Sequence, residues 1–135
     1  MQFQKSTDHA IRILHYLHRH SAAGEELFTA QILSEAVGLK YPSLVKIAYQ
    51  LKKKDLILTV QGRNGGYQIA RPGHEISLYD VVLAIEGDLK ISNGFNGQEH
   101  GGGGDCALQK YYIEVRETLI AKLAGKSIAD FDVVA

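Results

Sequence analysis

The sequence predicts a mainly α-helical fold with one small β-hairpin, and three observations carry that expectation. Apolar residues recur at helical spacing in several separate segments. A break at Val37, Gly38 and Leu39 sets two of those segments end to end as short helices. Two short runs rich in β-formers flank GRNGG, the Asn-Gly signal of a tight hairpin. Helix, turn, helix and hairpin in that order over 29–70 predict a winged helix-turn-helix domain. In that arrangement the second helix can enter a DNA major groove while the hairpin reaches the neighbouring backbone.

The first helix is expected over 6–20, where Ala10, Ile13, Leu14 and Leu17 fall at i, i+3, i+4 and i+7, with Ser6, Thr7 and Asp8 as cap candidates. SAAGEE at 21–26 is a turn. Thr29 can cap the second helix, and Phe28 can staple onto Leu33. Gly38 ends it. The third helix begins near Lys40–Pro42, since proline suits a first turn, and carries Leu44, Ile47, Ala48 and Leu51 to Lys54. Leu56–Val60 and Tyr67–Ala70 form the hairpin. Ser77 opens a fourth helix with Asp80 at the capping-box position and Ile76 placed to staple Val81, and Gly87 closes it.

From Asp88 to Asp105 the chain is polar and glycine-rich, with little to bury, and reads as a mobile loop. Beyond it Leu108, Tyr111, Tyr112, Val115, Leu119, Ile120 and Leu123 make a broad apolar stripe on a helix of about five turns. Such a stripe needs a partner surface, either a second subunit or its own. Ser127 with Asp130 predicts a last capped turn. The resulting division is a winged domain at 1–87, a flexible loop at 88–106, and a dimerisation helix with its terminal turn at 107–135.

Composition bounds the chemistry. The 135 residues suit one domain, no apolar run approaches the roughly eighteen residues of a membrane span, and the start lacks the apolar core of a signal peptide, so a cytoplasmic protein is expected. The formal net charge is zero, yet Lys40, Lys46, Lys52, Lys53, Lys54 and Arg63 face only Asp55 in 40–63, a segment of +5 in a chain otherwise −5. A basic block on the helix and wing orients the molecule toward a polyanion, although consecutive lysines also suit a solvated helix end. Lys40, Tyr41, Ser43 and Lys46 are the candidates for base edges or phosphates, and Arg63 and Asn64 for the wing contact. The same elements could instead serve packing alone. No nucleophile, base and orienting group can be assembled, so no enzyme is expected. His15, His18 and His20 could pair on a helix, but no further ligands match, and a solvated polar face is the reading preferred. GGGG at 101–104 follows no strand, lacks a lysine and leads into Asp105, so it reads as a linker rather than a phosphate loop.

The run GLKYPSLVKIAYQLKKKDLILTVQGRNGGYQIARPGHEISLYDVVLAIEG resembles the signature region of the Rrf-two regulators, the group of IscR, NsrR and CymR. STDHAIRIL is similar to that family's first helix, and DCALQ with the helix after it to its dimerisation segment. The resemblance implies an antiparallel dimer through 107–124 and a palindromic operator bound by two winged domains, most simply as a repressor. It also implies an alternative, a regulator whose winged face and 88–104 loop hold a metabolic enzyme. Many members carry an iron–sulfur cluster on three cysteines. Here only Cys106 stands, at the last of those places, so a three-thiolate set is chemically impossible. The nitric-oxide-sensing branch implies an acidic ligand where Asp8 stands, which leaves only Cys106, Asp8 of the partner subunit and a histidine such as His100. Soft thiolates are what such clusters require, so no cofactor is expected. Cys106 near a helix N-terminus could act as a redox switch, though Asp105 opposes thiolate formation and a lone cysteine commonly serves packing. Gln61 stands where the family often has arginine at the wing, a place Arg63 could take.

Overall fold

One face of the first helix decides how the following elements are laid down. The computed structural model describes residues 3–21, 26–89 and 107–132. Within them α1 spans Lys5–His20 and buries Thr7, Ala10, Ile13, Leu14 and Leu17. Its end is not closed by the expected side chains. Gln4 is the N-cap and makes no side-chain cap bond, leaving Ser6, Thr7 and Asp8 inside the helix. Glu86 closes it instead: its Oε2 accepts from the Gln4 amide at 2.6 Å and from the Thr7 hydroxyl at 2.5 Å. A carboxylate distant in sequence thus meets the positive helix end, which no local pattern could reveal.

α2 (Ala30–Val37) starts as expected, with Thr29 Oγ1 accepting from the Ile32 amide at 3.2 Å. It stops at Gly38, φ +72, where the Leu39 amide donates to the Ser34 carbonyl at 2.9 Å, a left-handed closure that glycine permits without strain. α3 (Tyr41–Lys53) follows, with Pro42 in its first turn. It closes through Asp55 at φ +58, so that the Leu56 amide reaches the Leu51 carbonyl at 3.1 Å.

β1 (Ile57–Val60) and β2 (Gly66–Ile69) pair antiparallel, with Ile57 opposite Ile69 and Val60 opposite Gly66. Their connection is wider than the Asn-Gly dipeptide signals. Gly62 at φ +107 begins a turn closed by the Gly65 amide on the Gly62 carbonyl at 3.1 Å, which puts Arg63 and Asn64 at the two central positions. Asn64 keeps a negative φ, so the turn is not of the two-residue primed kind. Phe28 adds an edge to the hairpin through two 2.8 Å backbone bonds with Tyr67. Its ring meets Tyr16 edge-on at 5.5 Å between centroids.

α4 (Leu78–Glu86) has the predicted capping box, Asp80 amide to Ser77 Oγ and Ser77 amide to Asp80 Oδ2, both 3.0 Å. Ile76 and Val81 are fully buried beside it, and Gly87 ends it. The stretch after Gly87 is not free of apolar burial. Leu89 is 5% exposed, and its carbonyl accepts from Arg116 Nε at 2.7 Å. Residues 90–106, which include Cys106, His100 and the glycine run, lie outside the described residues, as do residues 22–25 of the first turn.

α5 (Ala107–Ala124) packs on α4 yet buries no residue completely. The apolar stripe divides between two faces. Tyr112, Arg116, Leu119, Ile120 and Leu123 are half-buried, whereas Leu108, Tyr111, Ile113 and Val115 are exposed. After α5 the chain returns to the first core. The Leu78 amide donates to the Lys126 carbonyl at 2.8 Å and the Ile128 amide to the Ile76 carbonyl at 2.9 Å. The predicted terminal turn is a 3-10 turn, Ile128–Phe131, in which Asp130 Oδ2 accepts from the Ser127 amide at 2.8 Å. Ile128 is fully buried in the core, its turn packed on α1 and on the 3-10 turn Gly73–Glu75. Ile128→Ala should therefore lower the unfolding free energy by about 3 kcal/mol in urea titrations. Ser77→Ala should cost about 1 kcal/mol.

Candidate nucleic-acid interface

α3 buries Leu44, Ile47, Ala48 and Leu51, so the helical period turns the residues between them outward. Lys40, at the N-cap, and Tyr41, Ser43 and Lys46 are all exposed, with Tyr41 at 62%. Arg63 and Asn64 are exposed at the wing tip, beside an equally exposed Gln61. The Tyr67 phenol is raised above its ordinary pKa, first by burial and then by the neighbouring Tyr41. Two residues on the outward face escaped the sequence reading as a pair. Tyr49 is 60% exposed and Lys53 Nζ lies 5.1 Å over its ring, within cation–π range. Their signal was available, since Tyr49 follows Lys46 by three and Lys53 follows Tyr49 by four.

His20 is exposed as expected, but His15 and His18 are not simply solvated. His15 Nε2 donates to Asp132 Oδ1 at 2.8 Å and His18 Nε2 to Asp132 Oδ2 at 2.9 Å, while Arg19 Nη1 stands 3.9 Å from Oδ1. The rings retain only 28% and 23% exposure. His20 stacks on Tyr16 at 4.1 Å between centroids. The His18 hydrogen bond, chiefly, holds the Asp132 carboxyl below its usual range; partial burial opposes it and His15 adds to it.

A helix-turn-helix whose second helix is followed by an antiparallel wing places the chain in the winged helix-turn-helix class. The chain belongs to the Rrf2 family, described as iron-dependent transcriptional regulators, which matches over residues 3–132. It is 36% identical over 108 residues to protein aau3 of Rhizobium meliloti (strain 1021), spanning 80% of this chain and 66% of that protein. The HTH-type transcriptional regulator NsrR of Oceanobacillus iheyensis is 31% identical over 96 residues, spanning 71% of this chain and 64% of that one. The chain thus spans somewhat less than two thirds of that regulator's length. Among solved structures, T. potens IscR has a TM-score of 0.72 at 22% identity, covering 96% of this chain and 85% of its own. CymR of B. subtilis has a TM-score of 0.74 at 15% identity, covering 96% and 95%. At such identities the likeness is one of fold.

One cysteine is present in the whole sequence. Asp8 is exposed in the first turn of α1, and among the described residues no three His, Cys, Asp or Glu side chains are grouped to hold a metal ion. This donor set does not fit a cluster held by three thiolates from one chain. No helix among the described residues is long and apolar enough to cross a membrane.

Because the Asp132 carboxyl is lowered in the folded state, its contribution to stability is complete above the unfolded value near about 4 and is lost as pH falls through the folded one. Comparing wild type with Asp132→Asn by thermal unfolding should show a gap that closes as pH falls below about 4. A gap still undiminished at about pH 2 contradicts the assignment.

Proposed function

We propose that this chain is a cytoplasmic, homodimeric regulator that binds a pseudo-palindromic DNA operator and represses by occupying it. The observation that carries this reading is the exposure of Lys40, Tyr41, Ser43 and Lys46 on the helix after the Gly38 turn, with Arg63 and Asn64 at the tip of the adjoining wing. α3 enters the major groove with its first two turns. Tyr41 and Ser43 face base edges, Lys40 and Lys46 bases or phosphates, and the wing grips the flanking backbone. Tyr49 and Lys53 extend that surface toward the far end of the helix.

The dimer forms through α5. Its exposed Leu108, Tyr111 and Val115 would leave a broad apolar patch on a monomer, which a twofold pairing of the same face covers. In this division 1–87 reads DNA, 107–124 pairs, and 88–106 is the segment through which a signal enters, with Cys106 and Asp8 as candidate sensing residues. Two recognition helices about 34 Å apart then match successive turns of one DNA face. The alternative, capture of a metabolic enzyme by the winged face and the 88–104 loop, rests mainly on residues outside the described ones.

Fluorescence anisotropy with labelled promoter DNA should show affinity falling steeply with salt, at roughly 0.9 of a logarithmic unit per phosphate contact. Lys46→Ala with Arg63→Ala should weaken binding at least about tenfold and flatten that dependence by about two contacts. Affinity indifferent to both refutes the reading. Tyr111→Glu should convert the dimer to monomer in sedimentation while leaving the helical content unchanged.

A further inference from the structure

We propose that the cavity between α1 and α2 is a binding site for a small organic monocarboxylate with a flat apolar body. The cavity has a volume of about 540 Å³, within the usual span of small-ligand pockets. Its walls divide by chemistry. Arg12, His15 and Arg19 line it from one face of α1, at spacings of three and four residues, and Tyr16, Val37 and Phe131 supply apolar surface. The Tyr16 ring is held in place by stacking on His20 and by a T-shaped contact with Phe28, so it is a fixed part of the wall.

Two of these residues, His15 and Arg19, already meet a carboxylate of the chain, together with His18 outside the cavity wall. Asp132 sits on His15 and His18 at 2.8 and 2.9 Å, with Arg19 at 3.9 Å. Arg12 makes no ion pair among the described residues. Of the two guanidinium cations on this wall, Arg19 stands 3.9 Å from Asp132, and Arg12 is exposed. A guanidinium fork takes a carboxylate through two parallel hydrogen bonds, the geometry that Arg12 is free to supply. Asp132 is then the competing charge at the rim. Ala36 and Val37, the last two residues of α2 before the Gly38 turn, form the far wall, so an occupant touches the helix that precedes α3.

Benzoate is the probe, and benzamide, of the same shape without the charge, is its control. Titration of the full chain without DNA, followed by calorimetry and by amide NMR shifts, should give benzoate binding near about 1 mM and benzamide at least about tenfold weaker. Arg12→Gln should weaken benzoate about tenfold, and Asp132→Asn should tighten it about threefold or more by removing the competitor. Circular dichroism checks that both variants fold; Arg12 is exposed, so its variant keeps the test decisive should the other fail. Equal binding of the two probes overturns the proposal, as does absence of benzoate shifts up to about 20 mM, or an affinity untouched by Arg12→Gln. DNA takes no part in the measurement, so its failure is distinguishable from failure of the operator-binding reading.

Discussion

The arrangement depends on the apolar face of α1, where Ala10, Ile13, Leu14 and Leu17 are completely buried. α2, α3, α4, β2 and the 3-10 turns Gly73–Glu75 and Ile128–Phe131 pack against that helix. Side chains at this density tolerate little displacement, so each neighbour is held in rotation as well as in position. The consequence for α3 is direct. With Leu44, Ile47, Ala48 and Leu51 pressed inward, Lys46 and Tyr49 have nowhere to go but out.

The same helix joins the two ends of the chain. Glu86, at the last turn of α4, closes the N-terminus of α1, and Asp132 is held by histidines near its C-terminus. Between these clasps lies Ile128, buried in the core although it follows α5 in the sequence. α5 is thereby anchored on both sides. Arg116 binds the Leu89 carbonyl, and the Lys126 carbonyl receives the Leu78 amide. Anchoring a helix through one face leaves the other open, and on α5 the open face carries Leu108, Tyr111 and Val115.

Charge follows this geometry. The neutral total of the chain conceals a helix and wing that carry its positive excess, and the lysines at the end of α3 also suit the negative end of the helix dipole. A second, smaller concentration of cations lies on α1 beside the cavity, where it is offset by the returning chain. The two basic regions therefore differ in kind: one lies along a helix followed by the wing, and the other borders an open groove with aromatic walls and is partly neutralised.

The order of elements, the Thr29 and Ser77 caps, the Gly38 stop and the Ser127–Asp130 turn were legible in the sequence, because each rests on neighbours within a few residues. The outward residues of α3 were legible for a related reason: burial of one face is written in the 3.6-residue period. Other features depended on residues far apart in the chain. The Glu86 closure, the seat of Ile128, the Asp132 clasp, the burial of Leu89 and the splitting of the α5 stripe each need a partner that only folding brings near. Local periodicity can tell which residues prefer to be buried, but not what buries them. That second question is answered by long-range packing, where hydrogen-bonding groups and apolar faces take the partner the whole fold supplies.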